Sequence, residues 1–598
     1  AIRGACALRP WIGTAPLRQA LPVRRASFAT PARVAWFAVL LGGLGALAAR
    51  ARESLRAPGP DLHAVTYVGS AACRRCHTDH YASWARTHHG RMTRDVAANG
   101  EAVLGAFDGR RLAWFGWDLE LARDASGAPR VRATGPAGES RDWIVGRTVG
   151  SRRMQQYLAR EPDGTWWRLP VAWHVGEQRF VHMNGAFLTP DPEHAAAPAE
   201  DFERHLSRWN DNCVFCHNVA PRPAPQPAGG FATEVAELGV ACEACHGPGA
   251  AHAAANADPL RRYALHYGDG DDATVVDPAR LSAERSAGAC GRCHGQRKTG
   301  DLAAVLREGE GFVPGDDLAR TSEPLWADTT LNGEEDVFRA RFWPDGSPRL
   351  TAYEYQGQLL SPCSQRGDAT CTTCHGMHTG DPAGQLRPEL GEDGSCVGCH
   401  AGAAEDGHAR AGHEAVACVD CHLPRNVYGV LAAHRTHRVQ VPSPGGLTPD
   451  ACTTCHVCAD PTSLGGRRGP SMHARLFGGD PVERALAADA LGRHAGQAVP
   501  EAERATERAA ALGALLLTLR DDPYPAVRRL AFEAAQKLGG DAPWADYRPG
   551  SARAPREVAL TRIEATLRAR GVRWTPPGPE ARAHLAEAGR EGALWIGE

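Results

Sequence analysis

Val240–His252 reads VACEACHGPGAAH: two thiols two residues apart, a histidine directly after them and a second histidine six residues on. One such stretch fits a redox dithiol, half of a zinc ribbon or a haem attachment site. The pentad CxxCH, however, occurs eight times. The copies are Cys73–Cys76–His77, Cys213–Cys216–His217, Cys242–Cys245–His246, Cys290–Cys293–His294, Cys371–Cys374–His375, Cys396–Cys399–His400, Cys418–Cys421–His422 and Cys452–Cys455–His456. They take sixteen of the nineteen cysteines, and each has histidine in the fifth place. A zinc ribbon pairs two CxxC halves per metal and needs no histidine behind each. A thioredoxin-type motif occurs once, beside a βαβ pattern that is absent here. Covalent haem accounts for every position. The two thiols add to the porphyrin vinyl groups and the adjacent histidine becomes the proximal iron ligand. The expectation is eight covalently attached haems c.

Each iron needs a second ligand. Eighteen of the 26 histidines lie outside the pentads, against five methionines in the chain, so His/His ligation is the natural supply. It gives lower potentials than Met/His. His252 closes CHGPGAAH and His378 closes CHGMH. A histidine so close to its motif can hardly fold back under its own ring, so it is expected to reach a neighbouring iron. His413, with His408 as its rival, precedes Cys418; His437 ends YGVLAAHRTH; His89, beside His88, lies in SWARTHHGRM. His174, His182, His205, His266 and His473 are weaker candidates. His494 and His584, in the C-terminal segment, are read as surface residues. Five good distal ligands for eight irons leave room for an open iron. Lysine serves as an iron ligand in some catalytic multihaem enzymes, but Lys298 and Lys537 are the only lysines in this chain.

The elements that must position these groups are short. Gly (66) and Pro (43) are abundant and aromatics make up 7% of the chain, a poor composition for a conventional core. Eight apolar haem plates would change that. The fold class is therefore read as a mainly α and irregular core wrapped around stacked haems. Net charge of −2 gives no reason to invoke nucleic acid. Arginines at 3, 9, 18, 24, 25 and 33 precede the apolar run VAWFAVLLGGLGALAA at 34–49, and no acidic residue comes before Glu53. Sixteen apolar residues is short for a spanning helix and near the upper size of a signal-peptide core. Residues 1–60 are read as a signal peptide or an inner-membrane anchor, and either sends the rest of the chain out of the cytoplasm.

Residues 61–99 carry the first motif. Residues 100–200 carry none and alternate polar with apolar: RRLAWFGWDLELARDASGAPRVRATG reads as a hairpin and WWRLPVAWHVGEQRFVHM as further strands, a β-rich insertion. Residues 201–465 hold the other seven motifs. Residues 466–545, with DPVERALAADALG and DDPYPAVRRLAFEAAQKLG, show helical periodicity after Asp-Pro starts, like two HEAT-type repeats. Val527, Leu530, Ala531 and Ala534 form one apolar face there. Two repeats are too few for a free solenoid, so the helices are expected to dock on the haem core. Removing everything beyond about 466 is expected to leave all eight haems attached but to change stability or partner binding. Residues 546–598 complete a helical tail.

YVGSAACRRCHTDHYASW, GRTVGSRRMQQYL, LPVAWHVGEQRF, SPCSQRGDATCTTCHGMH and CVDCHLPRNVYGVLAAHRTH, with the opening stretch, resemble bacterial multihaem cytochromes c related to the hydroxylamine oxidoreductase superfamily. That superfamily includes the tetrahaem electron acceptor of the enzyme, and some members carry a C-terminal HEAT or tetratricopeptide-like part. The resemblance spans roughly residues 65 to 540. It implies His89, His252, His378 and His437 as ligands, and haems packed in alternating parallel and perpendicular pairs. No lysine replaces a proximal histidine, and no tyrosine stands out as a crosslink to a hydroxylamine-oxidising haem. The reading is an octahaem electron-transfer cytochrome with unidentified redox partner proteins. The alternative is an oxidoreductase acting on a small nitrogen or sulfur compound at one five-coordinate haem. Cys6 falls in the targeting segment, and Cys363 and Cys458 are expected to stay unpaired.

Overall fold

The computed structural model describes residues 31–56, 59–191, 198–268, 270–378, 385–388, 393–405, 412–413 and 416–594. Cys6 and His408 lie outside the described residues. The chain forms two compact units, residues 1–58 with 256–271, and residues 59–255 with 272–598.

In the first unit, α1 (Pro31–Arg56) presents Trp36, Phe37, Leu40, Leu41 and Leu44 as exposed side chains. The unit also contains α2 (Pro259–Tyr267), started by Asp258, whose side chain accepts from the Leu260 N–H. No helix among the described residues is long and apolar enough to cross a membrane.

The second unit contains an antiparallel nine-stranded sheet: β1 (Thr93–Asp95), β2 (Arg110–Trp114), β3 (Trp117–Arg123), β4 (Pro129–Thr134), β5 (Ser140–Val149), β6 (Met154–Arg160), β7 (Trp166–His174), β8 (Arg179–His182) and β9 (Ser207–Arg208). The spatial order is β2-β3-β4-β5-β6-β7-β8, with β1 on β5 and β9 on β7. The stretch read as one hairpin is a three-stranded meander. Its first turn is Phe115-Gly116, both at positive φ (53° and 80°). Two positive φ values suit the right-handed twist of a tight hairpin, but phenylalanine there carries none of the usual Asn/Asp-Gly signal. Alternate residues Trp117, Leu119 and Leu121 of β3 and Val131 and Ala133 of β4 face inwards onto Tyr157, Leu169, Val171 and Phe180. Pro170 falls where the pairing of β6 with β7 slips. A proline without an N–H is tolerated at such an irregularity.

The C-terminal part packs α3 (Met472–Gly478), α4 (Pro481–His494), α5 (Glu501–Asp521), α6 (Pro525–Gly539), α7 (Arg553–Ala569) and α8 (Pro579–Ala588). Asp480 caps α4 through the N–H groups of Val482 and Glu483, and Glu483 returns the contact to Asp480 N, a complete capping box. Val527, Leu530, Ala531 and Ala534 are all buried. One apolar core runs from Met154 and Leu188 through Leu350, Tyr428 and Val457 to Leu515, Ile563 and Leu585. The tail is thus part of the core of this unit. Ion pairs Arg349–Asp480, Arg528–Asp191 (2.9 Å) and Arg529–Glu177 lock it further. The expected docking of these helices takes this form, and the shared core accounts for a stability cost on removing them.

Candidate functional site

Each motif folds as about one helical turn. The histidine N–H donates to the carbonyl of the first cysteine at His77 (2.9 Å), His294 (2.9 Å), His375 (2.9 Å), His400 (2.9 Å) and His456 (2.8 Å). Helix geometry puts positions i, i+3 and i+4 on one face. The two thiols and the imidazole of CxxCH therefore point to the same side, as one porphyrin bound by all three requires. Thr370 and Asp450 start the turns of the fifth and eighth motifs as capping boxes.

The five distal candidates do not approach the histidine of the motif before them. His252, which follows the third motif, stands 6.1 Å from His77 of the first, ring centroid to ring centroid, at 25°. His378, after the fifth motif, lies 5.9 Å from His246 of the third at 11°. His89 lies 6.1 Å from His294, His437 6.3 Å from His375, and His413 6.1 Å from His456. Direct ring stacking would be closer. An imidazole nitrogen binds a metal at about 2 Å, so two rings on opposite sides of one ion stand roughly 6 Å apart once each ring's depth is added. The five separations fit an iron between each pair.

Most of the other histidines have partners of their own. His88 uses Nδ1 on Ser151 Oγ (2.9 Å), while His89 is buried against His294, and burial first, then His294, holds its imidazole down at about 4. His182 has both ring nitrogens occupied, Nε2 on the Phe202 carbonyl (3.0 Å) and Nδ1 on Asn184 N (3.1 Å). His174 Nδ1 accepts from Glu177 N (3.0 Å), and His205 Nε2 bonds Thr189 Oγ1 (3.1 Å). These three are sheet-region core histidines. His266 packs edge-on against Tyr267, and His473 against Phe477. His584 is exposed, but His494 is not the surface residue expected: it is partly buried, 3.8 Å from the Cys455 thiol of the eighth motif.

The outer nitrogens of several candidates are held as well. His246 Nδ1 bonds the Val276 carbonyl (2.7 Å), and Val276 N–H donates back to the His246 carbonyl (3.0 Å). His422 and Gln440 repeat the same reciprocal pair, at 2.7 Å and 3.1 Å. A bond from Nδ1 to a carbonyl leaves Nε2 as the metal-binding nitrogen. His294 Nδ1 faces Glu354 Oε2 at 3.7 Å. That is an ion-pair distance and too long for a hydrogen bond. Contact with Glu354 nevertheless pushes His294 up to about 9, against burial.

Thiols of different motifs also meet. Cys73 lies near Cys242, Cys216 near Cys293, Cys290 near Cys371 and Cys396 near Cys418, close enough for each pair to perturb one another's ionisation. Cys245 feels Cys290, and Cys455 feels Cys421. The motifs are therefore neighbours in the order first, third, fourth, fifth, and again sixth to eighth, with the second beside the fourth. Arg292, inside the fourth motif, donates to the Phe215 carbonyl of the second (3.1 Å) and pairs with Glu310 (3.4 Å). Cys363 and Cys458 are both free thiols.

Sequence reasoning missed His80. Its ring stacks on His378 at 4.4 Å and lies 6.1 Å from His77 at 7°. The signal was present as CxxCHxxH. The carboxylates Asp272 and Glu354 were also missed, and nothing in their local sequence marks them.

Residues 72–107, which hold the first motif and His89, match the family described as Cytochrome c554 and c-prime. This match supports a c-type cytochrome with covalently bound haem. No curated protein matches the chain. Among solved structures, the outer cell wall cytochrome OcwA is similar over 84% of this chain and 99% of its own, at 18% identity and a TM-score of 0.43. The octaheme sulfite reductase MccA of Wolinella succinogenes is similar over 87% and 84%, at 12% identity and a TM-score of 0.25.

Proposed function

We propose that this chain is an extracytoplasmic octahaem cytochrome c, related to the hydroxylamine oxidoreductase superfamily, whose work is electron transfer between redox partner proteins. The observation that carries the reading is the set of five imidazole pairs at 5.9–6.3 Å, each joining a motif histidine to a histidine of another segment. Cysteines of the eight motifs anchor the groups. His77, His217, His246, His294, His375, His400, His422 and His456 are the proximal ligands, and His252, His378, His89, His437 and His413 are distal ligands across the pairs described. Bound haem supplies one-electron chemistry, and the protein supplies ligation, burial and spacing. Contact between thiols of successive motifs supports sites close enough to exchange electrons. The basic, then apolar, start of the chain supports export, and the C-terminal helices are read as HEAT-like.

A second reading has one specific support. Unlike the five paired motif histidines, neither His217 nor His400 has a second imidazole at the 6 Å spacing among the described residues. A five-coordinate iron at either would take a small nitrogen or sulfur compound. Low-temperature spectroscopy of the ferric holoprotein separates the two. Only low-spin iron, with no response to cyanide or nitrite, supports transfer alone. One high-spin centre that binds either ligand supports an oxidoreductase. A covalent mass increment other than eight haems would overturn the octahaem reading itself.

A further inference from the structure

One five-residue segment, Asp272–Val276, holds the ligands of two neighbouring sites in two different ways. At its end, the Val276 carbonyl accepts from His246 Nδ1 at 2.7 Å. At its start, the Asp272 carboxylate takes His252 Nδ1 on Oδ2 at 3.0 Å. His246 belongs to the third motif, whereas His252 faces His77 of the first motif at 6.1 Å. The two motifs are adjacent: the N–H groups of Val68 (3.0 Å) and Gly69 (2.8 Å), just ahead of the first motif, donate to Glu243 inside the third. Asp272 is fixed in place: its other oxygen, Oδ1, accepts from Thr274 N–H (3.0 Å) and from Thr274 Oγ1. Its side chain is 12% exposed.

A carboxylate and a carbonyl are different partners for a ligand imidazole. A carboxylate on the outer N–H gives the ring anionic character and makes it a stronger donor to the metal. It also brings a negative charge near the iron in a poorly screened setting. Both effects favour ferric over ferrous iron. A carbonyl orients the ring with much less of either effect.

We infer that Asp272 is a positioning residue that lowers the reduction potential of the iron held by His77 and His252 below that of its neighbour held by His246 and His378. Electrons on the first site then run to the third, and one short segment sets the direction of that step. This rests on the ligation proposed above, and deepens it.

The test is spectroelectrochemical titration of the full-length holoprotein. Asp272→Asn keeps the shape and an acceptor oxygen but removes the charge. It is expected to keep the covalent haem count and the low-spin signals while shifting one centre's midpoint upwards. His252→Ala is expected to turn that same centre high-spin, which identifies it. Thr274→Val takes one donor from the carboxylate, leaves it more basic, and is expected to shift the same centre downwards by less. Unshifted midpoints in Asp272→Asn with the low-spin signals intact overturn the tuning role. Should Asp272→Asn lose haem, an unshifted Thr274→Val overturns it instead. A low-spin spectrum unchanged in His252→Ala overturns the ligation reading, a separate failure.

Discussion

The C-terminal helices and the segment from the fifth to the seventh motif are of similar chemistry on paper but opposite in packing. Between Ala485 and Ala535, residues such as Leu486, Leu491, Leu515, Leu519 and Leu530 are buried at 2% exposure or less. Between Tyr355 and Val427, no described alanine, aliphatic or aromatic side chain is buried except Pro424. Three CxxCH motifs lie in that second stretch, in helices of four or five residues. Isolated helices that short are unstable in water because nucleation costs more than one turn returns. The first region therefore folds on its own side chains. The second needs something apolar that the polypeptide does not contain, and covalently bound haem is of the right kind.

The largest test removes the packed region. Deleting residues 472–594 strips most of the shared core from Met154, Leu188, Leu350 and Tyr428. The expected outcome is loss of soluble protein and of haem at the eighth motif, where Val457 and Cys455 contact the tail. A soluble truncation with all eight haems, by mass, breaks the comparison. The complementary test removes haem: a full chain made without haem attachment should exchange amide hydrogens freely over 361–425 and slowly in α4–α6. Equal protection in both regions would mean the motif segment folds unaided.

Point substitutions sharpen the same contrast. Leu515→Ala, in the packed region, should cost about 2–5 kcal/mol in denaturant unfolding. Val397→Ala, partly exposed within the sixth motif, should cost about 0.5 kcal/mol in the haem-free chain. Arg484 and Asp522 form a buried ion pair (2.9 Å, both 0% exposed), and Glu591 also pairs with Arg484 (3.1 Å), so Asp522→Ala, which leaves Arg484 to Glu591, should cost about 1–3 kcal/mol.

Legibility follows the same division. The motifs and their distal histidines stand out in the sequence because ligand chemistry is carried by rare residue types at short spacing. His252 and His378 were singled out by their closeness to a motif. What they face, His77 and His246, depends on how distant segments meet. That the tail docks was legible from its having too few repeats to stand alone; the contacts that hold it were not, because Arg349–Asp480 and Arg528–Asp191 join residues more than a hundred positions apart. The Phe115-Gly116 turn was illegible because positive φ at phenylalanine is held by tertiary packing and not by local preference.

The sheet gives a smaller, pH-dependent effect. Burial holds His174 and His182 down at about 3, and His205 at about 2. These rings are neutral when folded and take up protons at about 6.5 when unfolded. The unfolded state binds more protons below that pH, so stability is complete above 6.5 and falls as pH drops from 6.5 towards 3. Each histidine costs at most about 1.4 kcal/mol per pH unit in that window. Thermal melts of the His182→Gln variant should show a shallower acid slope, and an unchanged slope would locate the proton uptake elsewhere.

The smallest expected effect concerns two histidines that touch. His80 and His378 stack at 4.4 Å, and each lies about 6 Å from a motif histidine, His77 and His246 respectively. Distance alone does not separate them. Chain connectivity does. His80 is tethered to His77 by Thr78 and Asp79, in the helix Thr78–Trp84 that His77 N-caps, and two residues cannot pass round the rim of a porphyrin to its opposite face. His378 comes from another motif entirely, and its carbonyl is held by Ser83 Oγ (2.6 Å) beside that same helix. His252 already stands across from His77. His378→Ala is therefore expected to convert one low-spin iron to high-spin at full haem content. His80→Ala should leave every low-spin signal in place, moving at most the potential of one centre through the lost stacking. A high-spin signal in His80→Ala would make His80 the ligand, return His252 to a bystander, and remove the pairing of first and third motifs on which the contrast between Asp272 and Val276 depends.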